Sequence, residues 1–315
     1  MLNKFVDQVA ERCLSRLFVD VGGESNCIMV SGVGRSGTTW IGGVLQKAHN
    51  YRGVFEPLYP DFVEQSRNFG YFPFRTEDHV DEELAEFTRG VISGKLRSRW
   101  LDRDNRPKIY SGRVVKEIRN GYLLPWIAEN WPQLPIVLLC RDPMSVYASW
   151  VRLNWFESEN QKKQVLSFNH LRNQLEFFNK YERFFSRSIT TAVLSSNFAS
   201  FIHHWLSYYL IGLTVRDKGN LHAVEYNDLR SNVSALQQLC ADVISRSPSD
   251  IAAFSQRSSS TAWSSMRDNG GALDLNSCLQ ENDYDLGNLI CNEITGRSLL
   301  EFQKSPLKTL LECSV

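Results

Sequence analysis

The sequence predicts an α/β fold: a mainly parallel sheet of short buried strands, flanked on both faces by helices. Three observations carry this expectation. Short apolar runs recur at Cys27-Ile28-Met29-Val30, Arg113-Val114-Val115-Lys116, Pro135-Ile136-Val137-Leu138-Leu139-Cys140 and His222-Ala223-Val224-Glu225-Tyr226. They are continuous rather than alternating, as expected of strands covered on both sides. Each is followed by a stretch with helical spacing, at 38–48, 120–130, 143–155 and 228–244, which is the rhythm of βαβ units.

Taken in order, residues 2 to 17 place Leu2, Phe5, Val6, Val9, Cys13, Leu14 and Leu17 on one helical stripe, so 1–19 reads as a helix packed against the body. After the first strand, Gly32 to Gly37 reads as a loop, and a helix follows from Thr38. Asp228 is an expected N-cap for the helix after the last strand. Residues 57–112 and 156–218 interrupt the alternation as insertions over the mouth of the sheet. The first holds Pro57, Pro60, Pro73, an aromatic cluster from Phe69 to Phe74, and a helix near 80–97. The second is helical throughout, with Phe177, Phe178, Tyr181, Phe184 and Phe185 on one face and Phe201, Trp205 and Tyr209 on another, read as core. No repeat divides the chain, and 1–315 is read as a single domain.

Composition narrows the function. With 43% hydrophobic and 22% charged residues over 315 positions, the chain is an ordinary globular protein, which excludes disorder and disulfide scaffolds. Its 35 basic and 35 acidic side chains cancel, which speaks against a nucleic-acid partner. No run of 18 apolar residues offers a membrane span. The opening Met1 to Asp7 does not read as a secretory signal, because acidic residues interrupt it before an apolar stretch builds. Seven scattered cysteines without a C-x-x-C pair are the usage of a reducing compartment, and the expected location is the cytoplasm. Six histidines, including His203-His204, show no metal-ligand spacing on one helix face.

The most informative stretch is Ser31-Gly32-Val33-Gly34-Arg35-Ser36-Gly37-Thr38-Thr39-Trp40, between a strand and a helix. There, successive backbone N–H groups and the positive helix end can surround an anion. The two outer glycines keep the spacing of a G-x-x-x-x-G-K-[ST] phosphate loop, but Thr38 stands at the lysine position and the cation has moved to Arg35. Metal-dependent hydrolysis of a nucleoside triphosphate relies on that lysine, so its absence weighs against it.

Arg35-Ser36-Gly37-Thr38-Thr39-Trp40 resembles the 5′-phosphosulfate loop of sulfotransferases that use 3′-phosphoadenosine 5′-phosphosulfate (PAPS). The Arg, in place of Lys, is closer to the carbohydrate-type and bacterial branches. The resemblance implies that Arg35, Ser36, Gly37, Thr38 and Thr39 hold the phosphosulfate and that Trp40 stacks on adenine. Arg141-Asp142-Pro143, with Ser149 eight residues beyond the Arg, is similar to the family's 3′-phosphate signature, which implies Arg141 and Ser149 as ligands. An Arg fork suits a dianionic phosphate, and Ser149 would lie two helical turns beyond the strand end. Tyr226-Asn227-Asp228-Leu229 is similar to the family's Tyr-Glu-Asp-Leu and implies Tyr226 near the nucleotide. Arg257 to Thr261 falls where members carry a loop over the cofactor. The likeness spans about 27–245 in layout.

A hydroxyl acceptor needs a general base. The cytosolic branch has a His two residues after a Lys, but Val115-Lys116-Glu117-Ile118 carries Ile118 there. Two carboxylates remain. Glu56, in Gly53-Val54-Phe55-Glu56-Pro57, resembles the Phe-Glu-Pro element in which a Glu serves as base, and Pro57 is expected to hold it extended. Glu117 adjoins Lys116, but neighbours on a strand face opposite sides. The expectation is Glu56 as base, with Arg35 and Lys116 as the cations that stabilise transferred charge; Lys116 and Arg119 fit structural ion pairs as well. The expected reaction is sulfuryl transfer from PAPS to a hydroxyl or amine of a small-molecule acceptor with no metal. The acceptor site would be shaped by the two insertions. A P-loop kinase or NTPase and a non-catalytic nucleotide-binding module remain the alternatives.

Overall fold

The computed structural model describes residues 18–106, 108–156, 172, 174–243 and 279–313. Nearly all of the helix expected at 1–19, and the loop at 257–261, lie outside the described residues. Seven strands follow in chain order: β1 (Val19–Asp20), β2 (Cys27–Ser31), β3 (Arg52–Phe55), β4 (Ile109–Tyr110), β5 (Arg113–Glu117), β6 (Ile136–Cys140) and β7 (Leu221–Glu225). β1 and β4 form a small parallel ribbon, and the other five form a sheet in the order β3-β5-β2-β6-β7 with every pair parallel. The central strand β2 is the switch point: the chain runs from it to β3 and β5 on one side, then to β6 and β7 on the other. In open α/β sheets ligands bind outside the carboxyl ends of strands at such a point.

Burial explains why these runs are strands. Along β2, Cys27 and Met29 enter one apolar cluster, while Ile28 and Val30 enter the other. The second cluster is closed by α1 (Thr38–His49), through Ile41, Val44 and Leu45. The larger one is roofed by α2 (Glu82–Ile92), α3 (Leu124–Asn130), α4 (Pro143–Arg152) and a helical group comprising α5 (Leu175–Lys180), α6 (Arg187–Ser195) and α7 (Asn197–Gly212). Every residue of α7 from Phe198 to Gly212 is buried, so it runs through the core rather than over it. The aromatic residues at 177–185 that the sequence assigns to the interior do pack there, with Phe177 and Phe184 fully enclosed. None of the described helices is long and apolar enough to cross a membrane.

Local chemistry sets the helix boundaries. Asp142 accepts the Ser145 N–H at 2.8 Å and Pro143 occupies the first turn, so α4 starts at the end of β6. The helix expected over 228–244 is two helices, α8 (Tyr226–Ser231) and α9 (Val233–Val243). Asp228 is therefore not an N-cap; it lies inside the first turn of α8. The cap belongs to Asn232, whose backbone is extended and whose side chain accepts the Ala235 N–H at 3.1 Å. Beyond residue 278 the described chain adds α10 (Asp283–Thr295), α11 (Leu299–Lys304) and α12 (Pro306–Leu311).

The amino ends of β3 and β5 are fastened by charge. Arg113 sends Nε and Nη2 to the two carboxylate oxygens of Asp20, both at 2.9 Å, and also donates to the carbonyls of Gly23 and Ile92. Arg52 pairs with Asp102 at 3.2 Å and donates to the Gly94 carbonyl at 3.0 Å. Both guanidiniums are wholly buried, so their removal leaves carboxylates and carbonyls without partners. Arg113→Met is expected to lower unfolding free energy by about 3–5 kcal/mol, read by urea titration, because one partner of a buried pair is lost. Arg52→Met should behave alike.

Candidate functional site

Three strand ends build the site. β2 runs into the loop Gly32–Gly37. Gly37 holds φ 106°, a conformation reserved for glycine, and a Cβ there would lie 2.5 Å from the Tyr226 ring. Arg35 is left-handed as well, at φ 74°, which a residue with a side chain adopts only under constraint. α1 then starts at Thr38 with Gly37 in the N-cap position, and no side chain caps it. The first N–H groups of α1 thus lack the usual hydroxyl or carboxylate partner, which is the arrangement that receives an anion.

Arg141 leaves the end of β6 and lies beside Arg35: its Nη1 donates to the Arg35 carbonyl at 3.4 Å. Its guanidinium covers the Tyr226 ring at 4.6 Å, and the Trp205 indole N–H holds its carbonyl at 3.1 Å. Arg35 Nε donates to Ser149 Oγ at 3.0 Å, bringing α4 to the loop. Asp142, the obvious counter-ion for Arg141, is occupied as the α4 cap. Among the described residues neither Arg35 nor Arg141 pairs with a carboxylate, and Arg141 Nε is buried with no partner. Burial lowers the Arg35 pKa, and the positive charges of Arg152 and Arg141 lower it further. Trp40 packs edge-on against Tyr226 with centroids 5.6 Å apart, and the Arg230 guanidinium lies over the Trp40 ring at 5.4 Å. The structure therefore brings together Arg35, Ser36, Gly37, Thr38, Trp40, Arg141, Ser149 and Tyr226; Thr39 is the exposed member of the loop.

Glu56 follows β3, and its backbone N–H donates to the Lys116 carbonyl at 2.8 Å, continuing the ladder to β5. Pro57 does not hold it extended: Glu56 has φ 44°. The left-handed turn aims its carboxylate at β5, and the Trp100 indole N–H fixes its carbonyl at 3.2 Å. One carboxylate oxygen receives Lys116 Nζ; the other receives Arg119 Nη1 at 2.8 Å. Lys116 lies 4.4 Å from the Phe55 ring centroid, and Arg119 stacks 3.8 Å from that of Tyr59. Glu117 accepts the N–H groups of Leu58 at 2.7 Å, Ile118 at 2.8 Å and Arg119 at 3.0 Å, and its carboxylate also lies 3.7 Å from Arg119 Nη1, the nitrogen that grips Glu56. It shapes the turn.

The role of Arg119 in gripping Glu56 is not read from the sequence, although a charged run at the end of an apolar strand is a signal that could have found it. Tyr208, Tyr209 and Trp205 also reach the site, hidden in a helix apolar on all sides. His203 and His204 lie in the core, where His204 Nδ1 meets the Tyr122 hydroxyl at 2.9 Å and His203 Nε2 meets the Phe184 carbonyl at 3.0 Å.

Burial alone would raise the Glu56 pKa, but Lys116 and Arg119 outweigh it and hold the carboxyl at about 2. A depressed carboxyl stabilises the fold above its ordinary pKa, and that stability is lost as pH falls toward the folded value. From the ordinary value of 4.5 down to about 2, the fold should lose roughly 3 kcal/mol through this group. Unfolding titrations between pH 6 and 2 should show it, with a shallower acid slope in Glu56→Gln.

No curated protein sequence matches the chain. Among solved structures, a mouse sulfotransferase, SULT7A1 complexed with PAP, aligns over 90% of this chain and 91% of its own at 14% identity and a TM-score of 0.47. A sulfotransferase from Alicyclobacillus acidocaldarius aligns over 71% of this chain and 83% of its own, at 13% identity and TM-score 0.36. The model of the Sulfotransferase family matches residues 27–241, which runs from the first residue of β2 through the loop, Glu56, the β6 end and Tyr226 into α9. The matched span is more than half of the chain, and the protein belongs to the sulfotransferase family.

Proposed function

We propose that the protein transfers a sulfuryl group from PAPS to a hydroxyl or amine of a soluble small-molecule acceptor, by metal-independent in-line displacement with Glu56 as base. The observation that carries this reading is the Arg35–Arg141 pair: two arginines, one in the loop after β2 and one at the end of β6, joined by a bond from the Arg141 guanidinium to the Arg35 carbonyl, without a carboxylate partner among the described residues, beside an uncapped helix start. Like charges held together in a partly buried place call for an anion. The donor set fits a nucleotide with two anionic groups. Arg35, Ser36, Gly37, Thr38 and Thr39 would hold the phosphosulfate, Arg141 and Ser149 the 3′-phosphate, and Trp40 and Tyr226 the adenine. When bound, the donor supplies the electrophilic sulfuryl group.

The chain's own residues do the rest. Glu56 is ionised at neutral pH and so ready to accept the acceptor's proton. While both cations hold it, it is a weak base; release of either raises its proton affinity. Lys116 suits that release, being a flexible ammonium at a strand end, whereas Arg119 is fixed against Tyr59. Lys116 and Arg35 can then serve the negative charge that builds up as the acceptor bond forms. Five described cysteines are free and buried, in keeping with a reducing cytoplasm.

The deciding experiment incubates the protein with sulfur-labelled PAPS and a small-molecule extract, with and without EDTA, and identifies product by mass spectrometry. Sulfated product at equal rate in EDTA is expected; turnover that needs magnesium and a nucleoside triphosphate would establish the kinase alternative. Arg141→Ala should weaken donor binding by about 10- to 150-fold, from the worth of one charge-assisted contact. Glu56→Gln should lower kcat by about 100-fold or more with donor affinity kept, because general-base assistance is worth that much. Unchanged turnover in Glu56→Gln would remove Glu56 from the reaction.

A further inference from the structure

We propose that Tyr208 and Tyr209, consecutive on α7, are positioning residues that fix the donor loop from beneath; the role as donor loop rests on the function proposed above. The Gly32 N–H donates to the Tyr208 hydroxyl at 3.1 Å, and the Val33 N–H donates to the Tyr209 hydroxyl at 3.3 Å. Each hydroxyl passes its own proton to a different neighbour of β2. Tyr208 donates to Asn120 Oδ1 at 3.2 Å, in the turn after β5, and that oxygen also receives the Ser31 hydroxyl at 2.8 Å. Tyr209 donates to the Leu139 carbonyl of β6 at 2.8 Å. Adjacent helical residues diverge by about 100°, so one pair of side chains ties the loop start to both flanking strands.

Two consequences follow from this geometry. The amides of Gly32, Val33 and Ser36 are already satisfied by protein, so an anion is served by the remaining amides of the loop, the start of α1 and Arg35. The left-handed Arg35 also needs a loop that is held on both sides, since a strained residue persists only where its surroundings over-determine it. Both tyrosines are fully buried, so each hydroxyl acts on the backbone and touches no solvent-borne ligand directly.

The test compares Tyr208→Phe and Tyr209→Phe with Tyr122→Phe. Tyr122 is also fully buried, but its hydroxyl meets Ser207 at 3.0 Å and His204, away from the loop. The readouts are amide hydrogen exchange over 32–38 and calorimetric affinity for 3′-phosphoadenosine 5′-phosphate. Exchange should quicken about 10-fold and affinity fall about 5- to 30-fold in the first two variants, the scale of one unsatisfied buried amide. Tyr122→Phe should lose thermal stability with both readouts unchanged. Loop exchange in Tyr208→Phe and Tyr209→Phe no faster than in Tyr122→Phe would overturn the proposal, as would unaltered nucleotide affinity in a protein that binds it. A wild-type protein that binds no nucleotide would defeat the functional reading instead, and loop exchange alone would then decide whether the tyrosines hold the loop.

Discussion

Positive charge gathered around a half-buried Arg35, from Arg152 and Arg141, is the constraint around which the site is organised. The Arg141 guanidinium meets the backbone carbonyl of Arg35, and the Arg35 cation is disfavoured by burial and by the charges of Arg152 and Arg141 unless something negative joins them. The fold denies them the nearest carboxylate by committing Asp142 to the α4 cap. It supports them instead with neutral groups: the Ser149 hydroxyl, the Tyr226 ring and the Trp205 N–H on a carbonyl. These orient the charges without cancelling them. Elsewhere in the same sheet, the charges of Arg52 and Arg113 meet Asp20 and Asp102, at the opposite ends of the strands. Among the described residues, Arg52 and Arg113 with their carboxylate partners build the framework at one end of the strands, and Arg35 and Arg141, without such partners, lie at the other, where open α/β sheets bind ligands.

The strained backbone follows the same division. Two residues with side chains take left-handed conformations at the carboxyl end of the sheet, Arg35 and Glu56, and both aim a charged group inward. Each deviation costs of order 1–3 kcal/mol and must be offset by neighbours. At Glu56 the offset is visible as the bond to the Lys116 carbonyl, the Trp100 N–H and two ion pairs. At Arg35 it comes from the Ser149 hydroxyl and from a loop whose first two amides are taken by tyrosines.

Much of this was legible in the sequence because strand burial and loop chemistry are local. Continuous apolar runs located β2, β5, β6 and β7, and the loop from Gly32 to Gly37 needed no distant partner to be recognised. Ile118, where a base would stand in a related arrangement, turned attention to Glu56, which does lie among charged neighbours at the end of β3. What escaped was set by contacts far apart in the chain. Arg119 is 63 residues from the carboxylate it grips, and Tyr208 is 176 residues from the amide it satisfies. Neither pairing leaves a periodic trace. The conformation of Glu56 was misjudged for the same reason: the local preference before Pro57 favours an extended backbone, and tertiary ion pairs overrode it. Asp228 yielded its capping role to Asn232, because the chain turns between two short helices where helical spacing alone suggested one.

The Glu56 cluster shows how a buried carboxylate is kept ionised at the expense of its basicity. A carboxylate flanked by one cation would be ionised at neutral pH already; a second cation lowers its basicity further and works against proton transfer. The two cations differ, however, in how they are held. Arg119 is fully buried, stacked on Tyr59, and anchored at its backbone by Glu117, so it cannot leave. Among the described residues Lys116 has the carboxylate and the face of the Phe55 ring, and an ammonium on a four-carbon stem can swing to a new negative charge. If it does so, Glu56 gains basicity at the moment a proton must be taken, and the charge balance of the pocket is kept. Exchanging the two residue types, Arg at 116 and Lys at 119, would preserve formal charge and abolish that asymmetry, because the planar fork would then hold the carboxylate from the side that has to let go.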